Sequence, residues 1–138
     1  MATRHRRFGS REEGQALVEF AITLPLLLFL LLGIVDFARA WNVYEVLTDA
    51  GREATRAAVV DQGYTEAQIR QVAKDALART GITLNDSDIT INAGAARGEP
   101  TTVTLNYGYE LKWVGWMMGL LGADRTLDFT VASTMRRE

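Results

Sequence analysis

The feature that most constrains this chain is an apolar run of twenty residues near its N-terminus, Ala16 to Val35. Only four residues interrupt it: Glu19, Thr23, Pro25 and Gly33. As an α-helix, a run of this length spans about 30 Å, the thickness of the hydrocarbon core of a bilayer. The run therefore predicts a single transmembrane helix. Insertion of a charged side chain at the bilayer centre costs about 2.5–3.5 kcal/mol of free energy. We therefore expect the Glu19 carboxylate to have a partner that offsets this cost.

The residues before the run predict the orientation of that helix. Residues 1–14 are polar and contain four arginines, Arg4, Arg6, Arg7 and Arg11, against Glu12 and Glu13. Such a segment is typical of a disordered leader. Because positively charged flanks stay in the cytoplasm, we expect a cytoplasmic N-terminus and a C-terminal domain on the other side of the membrane.

A cleaved secretory signal peptide is the alternative interpretation of this region. Ala38-Arg39-Ala40 superficially matches a signal-peptidase site, and cleavage there would release a soluble protein beginning at Trp41. However, the apolar part of a signal peptide is about 7–15 residues long. The longer run, closed by Asp36, favours a membrane anchor.

The helix is predicted to continue beyond the membrane, over residues 15–60. Apolar and small residues recur at steps of three and four, as on one face of a helix: Phe37, Trp41, Tyr44, Leu47, Thr48, Gly51, Ala54 and Ala58. Trp41 and Tyr44 lie where an interfacial aromatic belt would fall. Asp36 is expected to be a solvated acid at this membrane interface, with Arg39 one turn away as a partner. Pro25 predicts a kink or local unwinding near Ala21–Pro25.

Residues 61–138 predict a small extracytoplasmic domain. Asp61-Gln62-Gly63-Tyr64 breaks the helical pattern, and Thr65 with Gln68 has the spacing of a capping box. A second helix follows, and Gly81 is suited to end it. The apolar period then changes from 3.6 to 2 in three segments, with Gly94–Pro100 as the turn between the first two. The alternating positions are Ile89, Ile91 and Ala93; Val103, Leu105, Tyr107, Tyr109 and Leu111; and Leu127, Phe129 and Val131. The fold class is therefore α+β, with a three-stranded antiparallel sheet lying against the helices.

Composition excludes several function classes. The chain has no cysteine, and its one histidine, His5, lies in the leader. We therefore expect no catalytic residue, no metal site and no cofactor. The basic residues after Asp36 are scattered among acids, so no nucleic-acid partner is expected. Asn85-Asp86-Ser87-Asp88 is interpreted as a turn before a strand, because a calcium loop would need a distal glutamate. The apolar segment Trp113–Leu121 is either folded over the core or exposed as an interaction patch.

The segment Gly14-Gln15-Ala16-Leu17-Val18-Glu19-Phe20 resembles the processing site of type IV pilin-like proteins. The wider run from Glu13 to Trp41, EGQALVEFAITLPLLLFLLLGIVDFARAW, is similar to the TadE-like family, small pseudopilins of the tight-adherence (Tad, or Flp) pilus system. This resemblance implies a pilin-like fold and cleavage by a prepilin peptidase between Gly14 and Gln15. Glu19 and Phe20 then become the fifth and sixth residues of the mature chain.

The resemblance also implies a structural role in the bacterial inner membrane, and not an enzymatic one. The expected partners are the prepilin peptidase, other pilins or pseudopilins, and the Tad secretion machinery, with the pilus itself as a further location. Glu19 is expected to accept the ammonium group that cleavage creates on Gln15, in another subunit or in its own chain. The alternatives are a glutamate that snorkels to the interface and, for the whole protein, a plain bitopic membrane protein with an extracytoplasmic binding domain and an uncut leader.

Overall fold

The computed structural model of the protein describes residues 9–60, 64–94, 98–120 and 122–136. Three helices and three strands occur in these ranges: α1 (Gly9–Val60), α2 (Glu66–Ala78), β1 (Ile89–Asn92), β2 (Pro100–Glu110), α3 (Val114–Leu120) and β3 (Thr126–Arg136). A 3-10 turn, Asp86–Asp88, precedes β1. The predicted α+β class, with a long apolar helix, a second helix and an antiparallel sheet, is confirmed.

Helix α1 is 52 residues long and ends at the predicted Val60. It begins at Gly9 and not at Gln15, so the expectation of a disordered segment is wrong for residues 9–14. The rest of the predicted leader, residues 1–8, lies outside the described residues. The helix is uninterrupted at Pro25, so the local unwinding considered there is absent. A kink at this proline stays a prediction.

Helix α2 is bounded by the local signals that its sequence carries. The Thr65 hydroxyl accepts a hydrogen bond from the Gln68 amide, and the Gln68 side chain accepts one from the Thr65 amide at 2.8 Å, which completes the predicted capping box. At the other end, the Ile82 amide bonds to the Leu77 carbonyl and Gly81 adopts a φ of 78°. This is a Schellman motif, in which glycine tolerates the left-handed backbone.

The sheet has the strand order β1-β2-β3, and both pairs are antiparallel. Strands β2 and β3 pair along their full length, from Pro100 opposite Arg136 to Glu110 opposite Thr126. One face of the sheet, with Val103 and Leu105, packs on α1 and α2, while the other face is lined largely by threonines. The predicted alternation is therefore correct, although Ala93 and Leu111 lie just beyond the strand ends.

The core lies between the sheet, α2 and the second half of α1. The buried positions of α1 are Asp36, Ala40, Leu47, Ala50, Gly51, Ala54 and Thr55. Three residues of the predicted stripe are instead exposed: Phe37 at 67%, Trp41 at 55% and Tyr44 at 40%. The stripe was thus assigned about one residue out of phase in its first half. The predicted break at Asp61–Gly63 and the middle of the Gly94–Pro100 turn lie outside the described residues.

Candidate functional site

The predicted processing segment lies entirely within helix α1. Gly14, Gln15, Glu19 and Phe20 are all helical and exposed. Gln15 and Glu19 are four residues apart, which places them on the same side of the helix. Within the described residues, Glu19 makes no hydrogen bond or ion pair, so the structure of one chain leaves its carboxylate available.

The apolar run that follows is exposed along its whole length except at Gly33, which is partly buried. None of its most apolar stretch is buried against the rest of the chain, and the helix is long and apolar enough to cross a membrane. Large side chains such as Leu26, Phe29 and Ile34 are between 39% and 66% exposed. Because so large an apolar surface is rarely left in water, this helix is consistent with a membrane anchor.

Asp36, the first residue after the apolar run, forms hydrogen bonds with a part of the chain that is distant in sequence, the start of α3. Its carboxylate is only 1% exposed. Oδ2 accepts two hydrogen bonds from backbone amides, 2.8 Å from Trp113 and 2.7 Å from Val114. These are amides at the start of α3, where a helix leaves its N–H groups without intrahelical partners. The carboxylate thus holds the beginning of α3 against α1.

This geometry corrects the expectation for Asp36. The residue is buried and not solvated, and the predicted pair with Arg39 is absent from the ion pairs of the described residues. Oδ1 of Asp36 is also buried and has no hydrogen-bond partner among these residues. The assignment of Asp36, Arg39, Trp41 and Tyr44 to a membrane interface stays a prediction.

Glycine residues allow α3 to pack close to α1. A Cβ placed on Gly33 would lie 3.6 Å from Cγ2 of Val114, which is van der Waals distance, so α3 begins close beside α1 at this point. Gly115 is buried, and a Cβ there would lie 3.1 Å from Cβ of Leu111. A side chain at Gly115 would therefore disturb the packing of α3 on its preceding loop.

Aromatic rings connect this junction with the sheet. Successive ring centroids are 6.3 Å apart for Phe37 and Trp41, 6.0 Å for Trp41 and Tyr44, 5.9 Å for Tyr44 and Phe129, and 6.4 Å for Phe129 and Tyr109. Such distances are in the range of favourable aromatic pairs. The row runs from Phe37, just after the apolar run, to Tyr109 near the end of strand β2.

The pKa of Tyr109 is shifted by the charges close to where α3 begins beside α1. Burial raises the pKa of its hydroxyl above the ordinary value of 10.0, and the nearby negative charge of Asp36 raises it further, while Arg39 opposes the shift. Both effects favour the neutral phenol, since a buried tyrosinate beside a carboxylate is penalised twice.

An open groove of about 620 Å³ lies beside Tyr109 and carries two cations. Its walls are Ile34, Val35, Ala38, Arg39, Asn42, Val43, Tyr109 and Lys112. Arg39 and Lys112 make no ion pair within the described residues. The groove is thus apolar at Ile34 and Val35, in the apolar run, and basic at Arg39 and Lys112.

The question left open about Trp113–Leu121 is resolved in favour of exposure for its largest side chains, although Leu121 lies outside the described residues. Residues 114–120 of the segment form α3. Trp113, directly before the helix, is 51% exposed, and Trp116 and Leu120 within it are 65% and 70% exposed. Sequence reasoning missed the role of Asp36 in holding this segment. The sequence signal for this contact was an acid directly after the apolar run and a second apolar segment later in the chain. Nothing in the sequence indicates that Asp36 and this segment are in contact.

The described residues contain no cluster of three or more histidine, cysteine, aspartate or glutamate side chains arranged to hold a metal ion. The fold and the site define a class of protein. It has a small α+β domain, here called the head domain, on one long helix whose first half is a candidate membrane span. The TadE-like protein family model matches residues 14–56, so this part of the chain is a TadE-like domain and the predicted family is confirmed.

The matched segment begins at Gly14 and ends within α1, and it contains Asp36 and the three aromatic residues that α1 contributes to the row, Phe37, Trp41 and Tyr44. No curated protein and no solved structure matches the chain. A TadE-like domain suggests that the chain is involved in the membrane-associated Tad pilus system, of which this family is a structural component.

Proposed function

We propose that this protein is a minor pseudopilin that a prepilin peptidase cuts after Gly14 and that then acts in the assembly of a Tad pilus. The observation that carries the proposal is the position of Glu19. Glu19 lies four residues from Gln15, inside the TadE-like segment. It is near the start of an apolar helix segment that is exposed along almost its whole length.

The leader supports a cytoplasmic cut. Its arginines favour retention of the N-terminus in the cytoplasm of the inner membrane, with the head domain on the opposite side. Glycine at position 14 lowers helix propensity by about 1 kcal/mol relative to alanine. Local opening of the first turns of α1 would present the bond before Gln15 to a peptidase, and glycine has no Cβ to obstruct the approach.

Cleavage changes the electrostatics of the helix end. It removes the arginines of the leader and leaves an ammonium group on Gln15, at the end of the helix that already carries a partial positive charge. In a setting of low dielectric constant, the Glu19 carboxylate of a neighbouring subunit offsets the cost of desolvating that group. The pair would fix the axial register of two helices packed side by side.

The experiment is a set of chromosomal substitutions with separate readouts of leader cleavage, membrane insertion and surface pili. Glu19→Ala and Glu19→Gln should leave insertion intact and reduce pilus number about tenfold or more, because each 1.4 kcal/mol lost from an association step is a factor of ten. Glu13→Ala is the matched control, since that exposed carboxylate is lost with the leader. Full piliation in both Glu19 variants would contradict the role in register and favour a snorkelling glutamate.

A second substitution tests the cut itself. Gly14→Val adds a branched side chain at the scissile position and should leave the leader attached, with the protein still in the membrane. If Gly14→Val is processed normally, cleavage does not depend on this glycine. The alternative, a bitopic membrane protein whose head domain binds a partner outside the cytoplasm, is favoured if the wild-type protein itself keeps its leader.

A further inference from the structure

The exposed face of α3 has no partner within the described residues. Trp113, Trp116 and Leu120 present more than half of their surface each. Tryptophan is the side chain most suited to the boundary between water and lipid, because its large ring is apolar and its indole N–H keeps a hydrogen-bond donor for the headgroups. Two tryptophans and a leucine, on a helix of seven residues and the residue directly before it, form an apolar surface out of proportion to its size.

The position of α3 along the anchor is fixed by contacts already described. Val114 lies beside Gly33, where an added Cβ would be 3.6 Å from Cγ2 of Val114, and the amides of Trp113 and Val114 bond to Asp36. Gly33 lies inside the apolar run and Asp36 follows its last residue. Three residues of helix correspond to a rise of about 4.5 Å, so the start of α3 lies at the level where the anchor leaves the hydrocarbon.

The charges at this level have the sign that a phospholipid surface requires. Lys112, directly before Trp113, and Arg39, on the adjacent turn of α1, are exposed and without an ion-pair partner among the described residues. Both line the groove whose other end is formed by Ile34 and Val35 of the anchor. Long basic side chains reach lipid phosphates from such positions while their stems cover apolar surface.

We propose that α3 is a second membrane contact of the head domain. Trp113, Trp116 and Leu120 enter the interface between headgroups and acyl chains, and Lys112 and Arg39 meet the phosphates above them. The occupant of this surface is the phospholipid bilayer and not a second protein, because the surface is continuous with the membrane span of α1. The buried carboxylate of Asp36 fixes α3 to the anchor, so the head domain is held at a set height and tilt on the membrane.

The chain has no cysteine, which permits a direct test in the full-length protein. Trp116→Cys and, in a second protein, Leu120→Cys are labelled with a fluorophore sensitive to its environment and reconstituted into vesicles of phosphatidylethanolamine and phosphatidylglycerol. Some vesicles carry a quencher at a shallow position of the acyl chain. Thr130→Cys, exposed on the threonine-lined face of the sheet, is the matched control.

Quenching at positions 116 and 120 should exceed that at position 130 several-fold, with blue-shifted emission at the first two. Equal, weak quenching at all three positions would overturn the proposal. A blue-shifted label at position 116 that the lipid quencher does not reach would also overturn it, because protein and not lipid would then cover α3. The proposal does not rest on leader cleavage, so it can fail or hold independently of the proposed function.

Discussion

The Oδ2 atom of Asp36 accepts a hydrogen bond of 2.7 Å from the backbone amide of Val114, a residue 78 positions further along the chain. This bond joins the residue directly after the apolar run to the first residue of α3, in the connection between β2 and β3. Hydrogen bonds that involve a charged group contribute about 1.5–3 kcal/mol. One acid that lies directly after the apolar run therefore contributes to the packing of α3 on α1, together with the contacts at Gly33 and among the aromatic rings.

Asp36→Ala should destabilise the head domain by about 1–3 kcal/mol, because the amides of Trp113 and Val114 lose their acceptor. Asp36→Asn keeps one oxygen and should cost less. The measurement is thermal unfolding of the full chain in detergent, together with hydrogen exchange at the two amides, which should accelerate in Asp36→Ala. Asp49→Ala, an exposed acid of the same helix, is the control. Unchanged exchange at both amides in Asp36→Ala would show that the carboxylate does not hold α3.

Leu47→Ala should destabilise the head domain by about 2–5 kcal/mol, since Leu47 is fully buried where α1 meets the core. Denaturant unfolding in mild detergent, followed by circular dichroism, measures this loss. Val60→Ala removes an apolar side chain that is 73% exposed on the same helix and should change the free energy of unfolding by less than about 0.5 kcal/mol. A loss for Leu47→Ala no larger than that of its control would place the core elsewhere.

Thr65→Ala should cost about 0.5–2 kcal/mol, because it removes the side chain that caps the N-terminus of α2. Thr65→Ser keeps the hydroxyl and should restore most of the stability. Thr83→Ala, at an exposed position, serves as the control. The capping role is wrong if Thr65→Ser is as unstable as Thr65→Ala.

Tyr109 predicts sensitivity to alkali. Its pKa is raised above 10.0 by burial and by the charge of Asp36, so the neutral hydroxyl contributes stability that is fully present below pH 10.0. This contribution is lost as the pH rises through the folded pKa. Absorbance titration should show a late tyrosine that disappears in Tyr109→Phe and titrates earlier in Asp36→Asn. If Tyr109→Phe removes only an ordinary tyrosine signal, the junction is more hydrated than the structure indicates.

Signals that are local in sequence predicted local structure well. Thr65, Gln68 and Gly81 contact residues of their own turns, so spacing alone identified both ends of α2. The strand alternation also succeeded, because a sheet with one buried face imposes a period of two. The family resemblance likewise depended on a contiguous run of residues.

The errors concern partners that are distant in sequence. The acceptor role of Asp36 required a contact with Trp113, 77 residues away. The phase of α1 was misassigned because Trp41 and Ala40 belong to adjacent helical stripes, and the larger side chain suggested the wrong one. The partner of Glu19 is proposed to belong to a second chain, so neither sequence nor a single folded chain contains it.

Processing of the leader is the claim on which the proposed function depends most directly. The measurement is the intact mass and N-terminal sequence of the protein purified from native membranes, with and without the host's prepilin peptidase. We predict a chain that begins at Gln15, as the free amine or its cyclised form, and a full leader when the peptidase is deleted. A cyclised Gln15 would remove the ammonium proposed to pair with Glu19. A native chain that keeps its arginine-rich leader in the presence of the peptidase would contradict the pseudopilin assignment.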